Sequence, residues 1–369
     1  MTVPLADPPE EFVTLDPPAA GRPVSVFDLD ADELAGWLKQ RRQPKFRARQ
    51  IREAICRHRA DSFADITTLP AALRTELGEA FAILPSKLLH HAISRDGTEK
   101  LLVELHDGET LETVLMREDD RRTVCISSQV GCAMGCVFCA SGLLGVKRNL
   151  TAGEMVEQVL RVQRLLPADE SLTNVVVMGL GEPMANLPNL FRFLDALTAA
   201  DGLAMSPRRI TVSTVGLPKP MRQFADRGQP FNLAVSLHAP RESLRTEIVP
   251  VNDRTGLAAV LAAADHYFEQ TGRRVTYEYV LLAGRNDGPR EADELVALLR
   301  GRNAHVNLIP MNPVEQTGLI GSPQPSTQRF AAKLREGGLN VTVRKRKGAD
   351  IDAACGQLRL KELSDAAGG

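Results

Sequence analysis

The spacing of apolar positions changes character along the chain. From Asp28 to about Ala82 it is helical and interrupted by short loops. In "DADELAGWLKQ" an Asp stands ahead of Leu34, Trp37 and Leu38, as a cap stands ahead of a helix; "KFRARQIREAICRHR" continues the period, and "TLPAALRTELGEAF" places Pro70 in a first turn. A small helical module is predicted. "EKLLVELHDGETLETVLMRE" then alternates on both sides of a His-Asp-Gly-Glu turn, the signature of a β-hairpin. Beyond it, strand-like segments at Val124–Ser128, Asn174–Met178, Arg209–Thr214, Asn232–Leu237, Val275–Leu282, His305–Ile309 and Val341–Arg344 alternate with helical patterns. After Leu150, Thr151 and Glu154 form a capping box, and Met155, Val159, Val162 and Leu166 recur at helical spacing. Apolar strands such as "NVVVM" and "VNLIP", repeated with helices between them, predict a parallel sheet, and six or seven units suit a partial or full βα barrel. Such barrels carry their chemistry at the carboxyl ends of the strands.

Composition narrows this picture without overturning it. The 369 residues are 43% apolar and 25% charged, enough for a sizeable core in one large domain with a smaller one attached, or in two similar domains. The start, rich in proline and acid, has no basic region followed by an apolar one and reads as a disordered lead over residues 1–24. No apolar run approaches the roughly 20 residues of a spanning helix, so a cytoplasmic protein is expected. The net charge is −1, yet nine Lys or Arg against one acid, Glu53, lie between Lys39 and Arg59, and "RKRKG" spans Arg344 to Gly348. Such runs can track phosphates, or they can be solvated helix faces.

Candidate chemistry centres on "CISSQVGCAMGCVFCAS", which holds four of the six cysteines. In a reducing compartment, clustered thiols point to metal or catalysis before disulfides. Cys132, Cys136 and Cys139 form a C-x3-C-x2-C array with Phe138 ahead of the last thiol. Structural zinc takes four protein ligands, commonly as two C-x2-C pairs, and no second pair exists here. A [4Fe–4S] cluster takes four thiolates, so three would leave one iron open to a small molecule. The array favours the cluster over zinc or unligated thiols. The array follows the first predicted core strand and "GLGEP" follows the second, both at carboxyl ends.

With "CISSQVGCAMGCVFCASGLLG", "GLGEPMAN", "ITVSTVG", "SLHAP", "NDG", "NLIPMNP" and "RKRKGADIDAACGQL", the sequence resembles the radical S-adenosylmethionine (SAM) enzymes. Within them it is similar to the ribosomal RNA adenine carbon-2 methyltransferases of RlmN type, over roughly residues 25 to 360. The resemblance implies an α/β fold, a radical SAM partial (βα)6-type barrel with a small amino-terminal helical domain. Its parts would be a helical RNA-binding accessory domain over 25–96, a β-hairpin over 97–117, the radical SAM core over 118–350 and a carboxyl-terminal segment over 351–369.

It further implies that Cys132, Cys136 and Cys139 ligate one [4Fe–4S] cluster whose open iron chelates SAM. Gly181 and Glu182 would meet the SAM amino group, and Ser213, Ser236, Leu237, His238 and Asn312 would supply the remaining SAM contacts. Outside the resemblance, Gly-Glu-Pro is a plain turn and His238 a satisfied structural histidine. Two SAM molecules would be used per turnover. Cys355 would take a methyl group from one, and the radical made from the second would activate it for addition to adenine. Cys125 would resolve the adduct through a transient disulfide with Cys355, and Glu112 would be the proton acceptor. By their local sequence alone, Cys355 and Cys125 are packing residues and Glu112 a solvent-facing carboxylate. The implied substrates are adenine 2503 of 23S rRNA and, for some members, adenine 37 of tRNA, with a flavodoxin or ferredoxin as electron donor and a monomer as working unit. A sister carbon-8 methyltransferase, another radical SAM class, and a metal-stabilised RNA-binding protein are the alternatives. Cys56 matches no site and is assigned none.

Overall fold

The computed structural model describes residues 24–143, 145–312 and 317–353. The chain enters through β1 (Val24–Ser25) and three helices, α1 (Ala31–Gln40), α2 (Phe46–Cys56) and α3 (Ala71–Ala80), before β2 (Phe81–Ala82) returns to pair with β1 in parallel. Asp30 caps α1, accepting from the amides of Asp32 and Glu33, while Glu33 reaches back to the Asp30 amide. Pro70 stands at the N-cap of α3. Leu34, Leu38, Ile51, Ile55, Leu73 and Leu77 bury their side chains between the helices, in one continuous hydrophobic cluster with the main domain.

Next come β3 (Lys87–Ile93), β4 (Glu99–Glu104) and β5 (Thr110–Glu118), an antiparallel meander, then β6 (Arg121–Ile126), antiparallel to β5. The predicted hairpin is β4–β5. Strand β3 lies inside the stretch expected to be helical, and it forms the edge of the sheet. β7 (Gln129–Cys132) and β8 (Gly145–Asn149) make a small ribbon around α4 (Ala140–Leu143). From there helices and parallel strands alternate: α5 (Ala152–Arg164), β9 (Asn174–Val177), α6 (Leu187–Thr198), β10 (Ile210–Thr214), α7 (Pro218–Asp226) and β11 (Asn232–Ser236). The short α8 (Glu242–Ile248) and α9 (Asn252–Thr255) precede α10 (Leu257–Thr271), β12 (Val275–Leu281), α11 (Pro289–Leu299), β13 (Ala304–Pro310), α12 (Gln324–Glu336) and β14 (Asn340–Val343).

All seven segments read as core strands are present, each within two or three residues of its expected bounds. They form consecutive parallel neighbours β6-β9-β10-β11-β12-β13-β14 in a ten-stranded sheet whose other edge is β5-β4-β3. Six βα units and a closing strand thus make an open (βα)6 barrel. The box of Thr151 and Glu154 caps α5, whose residues are buried on nearly every face, because the amino-terminal module covers the side away from the sheet. Asp28 ties that cover down by accepting from the Gly153 amide at 2.8 Å. No helix among the described residues is long and apolar enough to cross a membrane.

Candidate active site

Two adjoining cavities open at the carboxyl ends of the parallel strands. One is lined by Cys132, Cys136, Cys139, Gly181, Glu182, Ser213, Ser236, His238 and Asn312. The second is lined by Cys125, Arg344, Lys345, Arg346, Lys347 and Ala353. Cys139, Ser141, Met178, Gly179, Ile309, Asn312 and Arg344 border both, so the cavities share a wall.

In the first cavity Cys132 ends β7 while Cys136 and Cys139 sit on the loop that follows it to α4, tightened by hydrogen bonds from the Cys139 amide to the Cys136 carbonyl at 3.1 Å and from the Gly142 amide to the Cys139 carbonyl at 3.0 Å. Burial pushes the Cys132 thiol up to about 12 and that of Cys136 well above its ordinary value, and neighbouring thiolates add to both. Three thiolates in such surroundings need a cation to hold them, and soft iron in a cluster suits an all-sulfur set. Among the described residues no three His, Cys, Asp or Glu gather around a single-ion position. Cluster ligands are spread over separate irons, so the donor set fits a [4Fe–4S] cluster.

Glu182 is buried, and its carboxylate accepts from the main-chain amides of Met184 at 3.0 Å and Val215 at 2.8 Å and from the Thr214 side chain. Burial raises its pKa to about 7 against the lowering effect of these bonds. Such a carboxylate gains from a ligand cation, as an ammonium group would be. Gly181 precedes it at φ +100°, and a Cβ there would stand 2.8 Å from the Gln129 amide nitrogen, so only glycine fits. Gln129 in turn accepts from the Glu182 amide at 2.8 Å.

His238 stands two residues past the end of β11 with φ +59°, a left-handed conformation that non-glycine residues seldom adopt. Its Nδ1 accepts from the Val280 amide at 3.0 Å, so Nδ1 carries no proton and Nε2 is left as the donor. Burial lowers its pKa to about 3, and the Phe138 ring meets it edge-on at 4.6 Å. It is a neutral hydrogen-bond donor fixed beside the cysteine loop. Ser213, Ser236 and Asn312 line the same cavity. Leu237 does not; its side chain belongs to the core, and its amide is bonded to the Glu278 carbonyl at 3.0 Å.

In the second cavity Cys125, on β6, is buried, at 8% exposure, and forms no disulfide among the described residues. Cys355 lies outside the described residues, but the segment leading to it is held. The Gly348 amide donates to Asp96 at 3.1 Å, Ser94 donates to Asp350, and the Arg95 amide donates to Asp350 at 3.2 Å. Lys100 donates to the Asp352 carbonyl at 3.3 Å and forms a 2.7 Å ion pair with Glu112. Glu112 is therefore buried rather than solvent-facing. It does not line either cavity, although it shares a face of β5 with Val114 and Met116, which do.

Sequence reasoning missed Lys100, Gln129, Arg245 and Glu278. Only Glu278 carried a local signal, an acid inside the otherwise apolar "TYEYVL"; it lines the first cavity and burial raises its pKa. Cys56 is buried and its thiol is pushed up to about 12 by burial, a packing residue.

The comparisons with known proteins agree with this geometry. Residues 126–296 match the radical SAM superfamily, and residues 24–83 match the ribosomal RNA large subunit methyltransferase N-terminal domain. The chain is 53% identical over 334 residues to a probable dual-specificity RNA methyltransferase RlmN of Rhodopirellula baltica, covering 90% of each chain. It is 46% identical over 342 residues to the protein of the same description from Geobacillus kaustophilus, covering 92% and 94%. A crystal structure of a radical SAM methyltransferase from Sphaerobacter thermophilus, 44% identical, superposes with a TM-score of 0.89 over 92% of this chain and 100% of that one. A barrel with three thiols at its mouth, a buried carboxylate beside them, and this degree of relatedness place the chain in the RlmN family of radical SAM RNA methyltransferases.

Proposed function

We propose that this enzyme methylates carbon 2 of adenine 2503 in 23S rRNA, and of adenine 37 in tRNA, with Cys355 as methyl carrier. The observation that supports this most is the shared wall: the cavity bordered by the three cluster thiols adjoins the one that holds Cys125 and the start of the Cys355 segment. A methyl group carried on a thiol can then meet a radical made next door without either crossing solvent.

When bound, the cluster supplies the electron that splits the SAM sulfonium. The chain's own residues do the rest. Glu182 and the backbone at Gly181 hold the SAM ammonium, while Ser213, Ser236, His238, Asn312 and the Leu237 main chain orient the nucleoside. Cys125, as a thiolate, attacks the Cys355 sulfur; the bond from that sulfur to the adduct's methylene carbon breaks, the carbon keeps the electron pair and takes up a proton to become the methyl group, and the two cysteines are left joined as a disulfide. Glu112, kept close by Lys100, accepts a proton. Arg344 to Lys347 border the cavity where the base must enter, and their charges suit the phosphates flanking an adenine turned out of its stack. On the same reading the electron donor is a flavodoxin or ferredoxin, the working unit is a monomer and the compartment is the cytoplasm, where the thiols stay reduced.

Mass analysis of rRNA and tRNA nucleosides from cells with and without the gene tests the assignment. Loss of 2-methyladenosine from both RNAs on deletion is expected. Loss of 8-methyladenosine instead would assign the chain to the sister activity.

A further inference from the structure

Arg245 heads the wholly buried side chains by size, at 0% exposure. It sits on α8, which no cysteine or SAM motif includes. Its Nε donates to the Leu237 carbonyl at 3.1 Å, one terminal nitrogen donates to the Ser236 carbonyl at 3.1 Å and to the Val215 carbonyl, and the other donates to the Asn252 side chain. Every acceptor is neutral. Glu242, an acid on the same helix, spends its oxygens on the Leu257 amide at 2.9 Å and the Asn252 amide group at 2.6 Å. A buried guanidinium without a hydrogen-bonded anion carries a large desolvation cost, which a nearby negative charge would offset.

The neighbourhood shows where that charge would be. The Val137 amide donates to the Ile248 carbonyl of α8 at 3.1 Å, pinning the cysteine loop to this helix. Leu244 and Ile248, which flank Arg245 on α8, belong to the small cluster against which Cys132, Cys136 and Phe138 pack. Two of the carbonyls that Arg245 grips, those of Val215 and Ser236, belong to residues lining the cysteine cavity.

We propose that Arg245 is the fixed counter-charge of the thiolate-bound cluster, a positioning residue that acts through Cys136 and raises the cluster's reduction potential. The helix that carries Arg245 packs against Cys136 in one small cluster and is pinned to the cysteine loop by the Val137–Ile248 hydrogen bond, so the guanidinium charge acts on the cluster site across that contact. Taking up one electron from a low-potential donor makes the site one unit more negative. A permanent positive charge in a low-dielectric wall stabilises the reduced form more than the oxidised one. Fixed carbonyl partners hold that charge in place at no reorganisation cost.

This rests on the cluster assignment, so the test separates the two. Anaerobically reconstituted protein is titrated by spectroelectrochemistry with EPR detection of the reduced cluster, alongside iron and sulfide analysis. Arg245→Gln should shift the midpoint negative by about 59 mV or more, a tenfold change for a one-electron couple. Arg245→Lys, which keeps the charge, should recover most of the shift. Glu242→Gln leaves the four Arg245 hydrogen bonds in place and removes an opposing charge, so its midpoint should move positive. Should Arg245→Gln fail to fold, the sign of the Glu242→Gln shift decides alone. Wild-type midpoints in a cluster-loaded Arg245→Gln protein, or in Glu242→Gln, overturn the proposal and leave the cluster standing. Wild-type protein without iron and sulfide would remove the cluster itself.

Discussion

Glu182 and Glu112 are both buried carboxylates, the first lining the mouth of the barrel and the second on β5 beside it, yet they are held in opposite ways. Glu182 is gripped by the Met184 and Val215 amides and the Thr214 side chain and has burial as the chief influence on its pKa, which suits the ammonium of the proposed SAM ligand. Glu112 already has its cation in Lys100, and Lys100 also holds the segment leading to Cys355. On the proposed function, the difference separates a SAM-binding half from a methyl-carrier half. The binding half is built from strand ends and loops of the barrel, where one residue's fold fixes the next. The carrier half is assembled from the meander edge of the sheet and a carboxyl-terminal strap that meet across about 250 residues of chain, as the 252-residue separation of Lys100 and Asp352 records.

The largest expected effect breaks the binding half outright. Cys136→Ala should lose the cluster and with it all SAM cleavage; iron and sulfide analysis checks this, and tightly bound zinc without labile sulfide in the wild type would contradict the assignment. Glu182→Gln comes next. Removing a charge-assisted contact should weaken SAM binding roughly 10- to 100-fold by calorimetry. The sign of the pH effect follows from the raised pKa. Glu182 is neutral below about 7 and charged above it, so wild-type SAM affinity should fall as pH drops through 7, while the Gln variant stays flat. The same raised value means the folded protein holds this proton more tightly than the unfolded chain. Its contribution to the stability of SAM-free protein therefore declines as pH rises from the ordinary carboxylate range through 7.

The carrier half should fail differently. Lys100→Met leaves Glu112 buried beside no ammonium, a loss of about 3 to 5 kcal/mol when a buried pair is broken on one side. Methyl loading on Cys355 should fall while SAM cleavage persists, and Lys100→Arg should restore part of it. Equal loss of both activities would mean that Lys100 serves only the fold. The smallest effect belongs to the basic runs. Lys345→Ala should weaken RNA binding and reduce the salt slope by about one, whereas Arg52→Ala should lower stability without changing that slope.

That last contrast shows where the sequence could be read and where it could not. The cysteine array, the capping box of Thr151 and Glu154 and the seven core strands were legible because each signal lies within a few consecutive residues. Strand β3 was not, since "KLLHHAI" is exposed along nearly its whole length and shows no alternation. The run from Lys39 to Arg59 looked like a phosphate surface, but much of it is engaged within the protein. Arg52 pairs with Asp201 at 3.2 Å, Arg57 donates to the Ala200 carbonyl, and Arg59 donates to the carbonyls of Leu166 and Glu170 at 2.7 and 2.6 Å. Those partners stand more than 100 residues away, beyond any local pattern. Lys39, Arg42, Lys45 and Arg49 remain exposed on that face, while the shorter run from Arg344 borders the cavity itself. Arg245 and Lys100 escaped notice for the same reason: single basic residues in ordinary helices and strands mean nothing until their distant neighbours are known.

The central claim, carried by the proposed function, is that Cys355 works as methyl carrier with Cys125 as its resolving thiol, beside the cavity that the three cluster thiols border. Trapping tests it most directly. Cys125→Ala protein, incubated anaerobically with SAM, reductant and substrate RNA, should accumulate RNA covalently bound through Cys355. Digestion and mass spectrometry would show a methylene-linked adenosine on the Cys355 peptide, and Cys355→Ala should yield none. Normal turnover by the Cys125 variant, with no adduct on that peptide, would contradict the account.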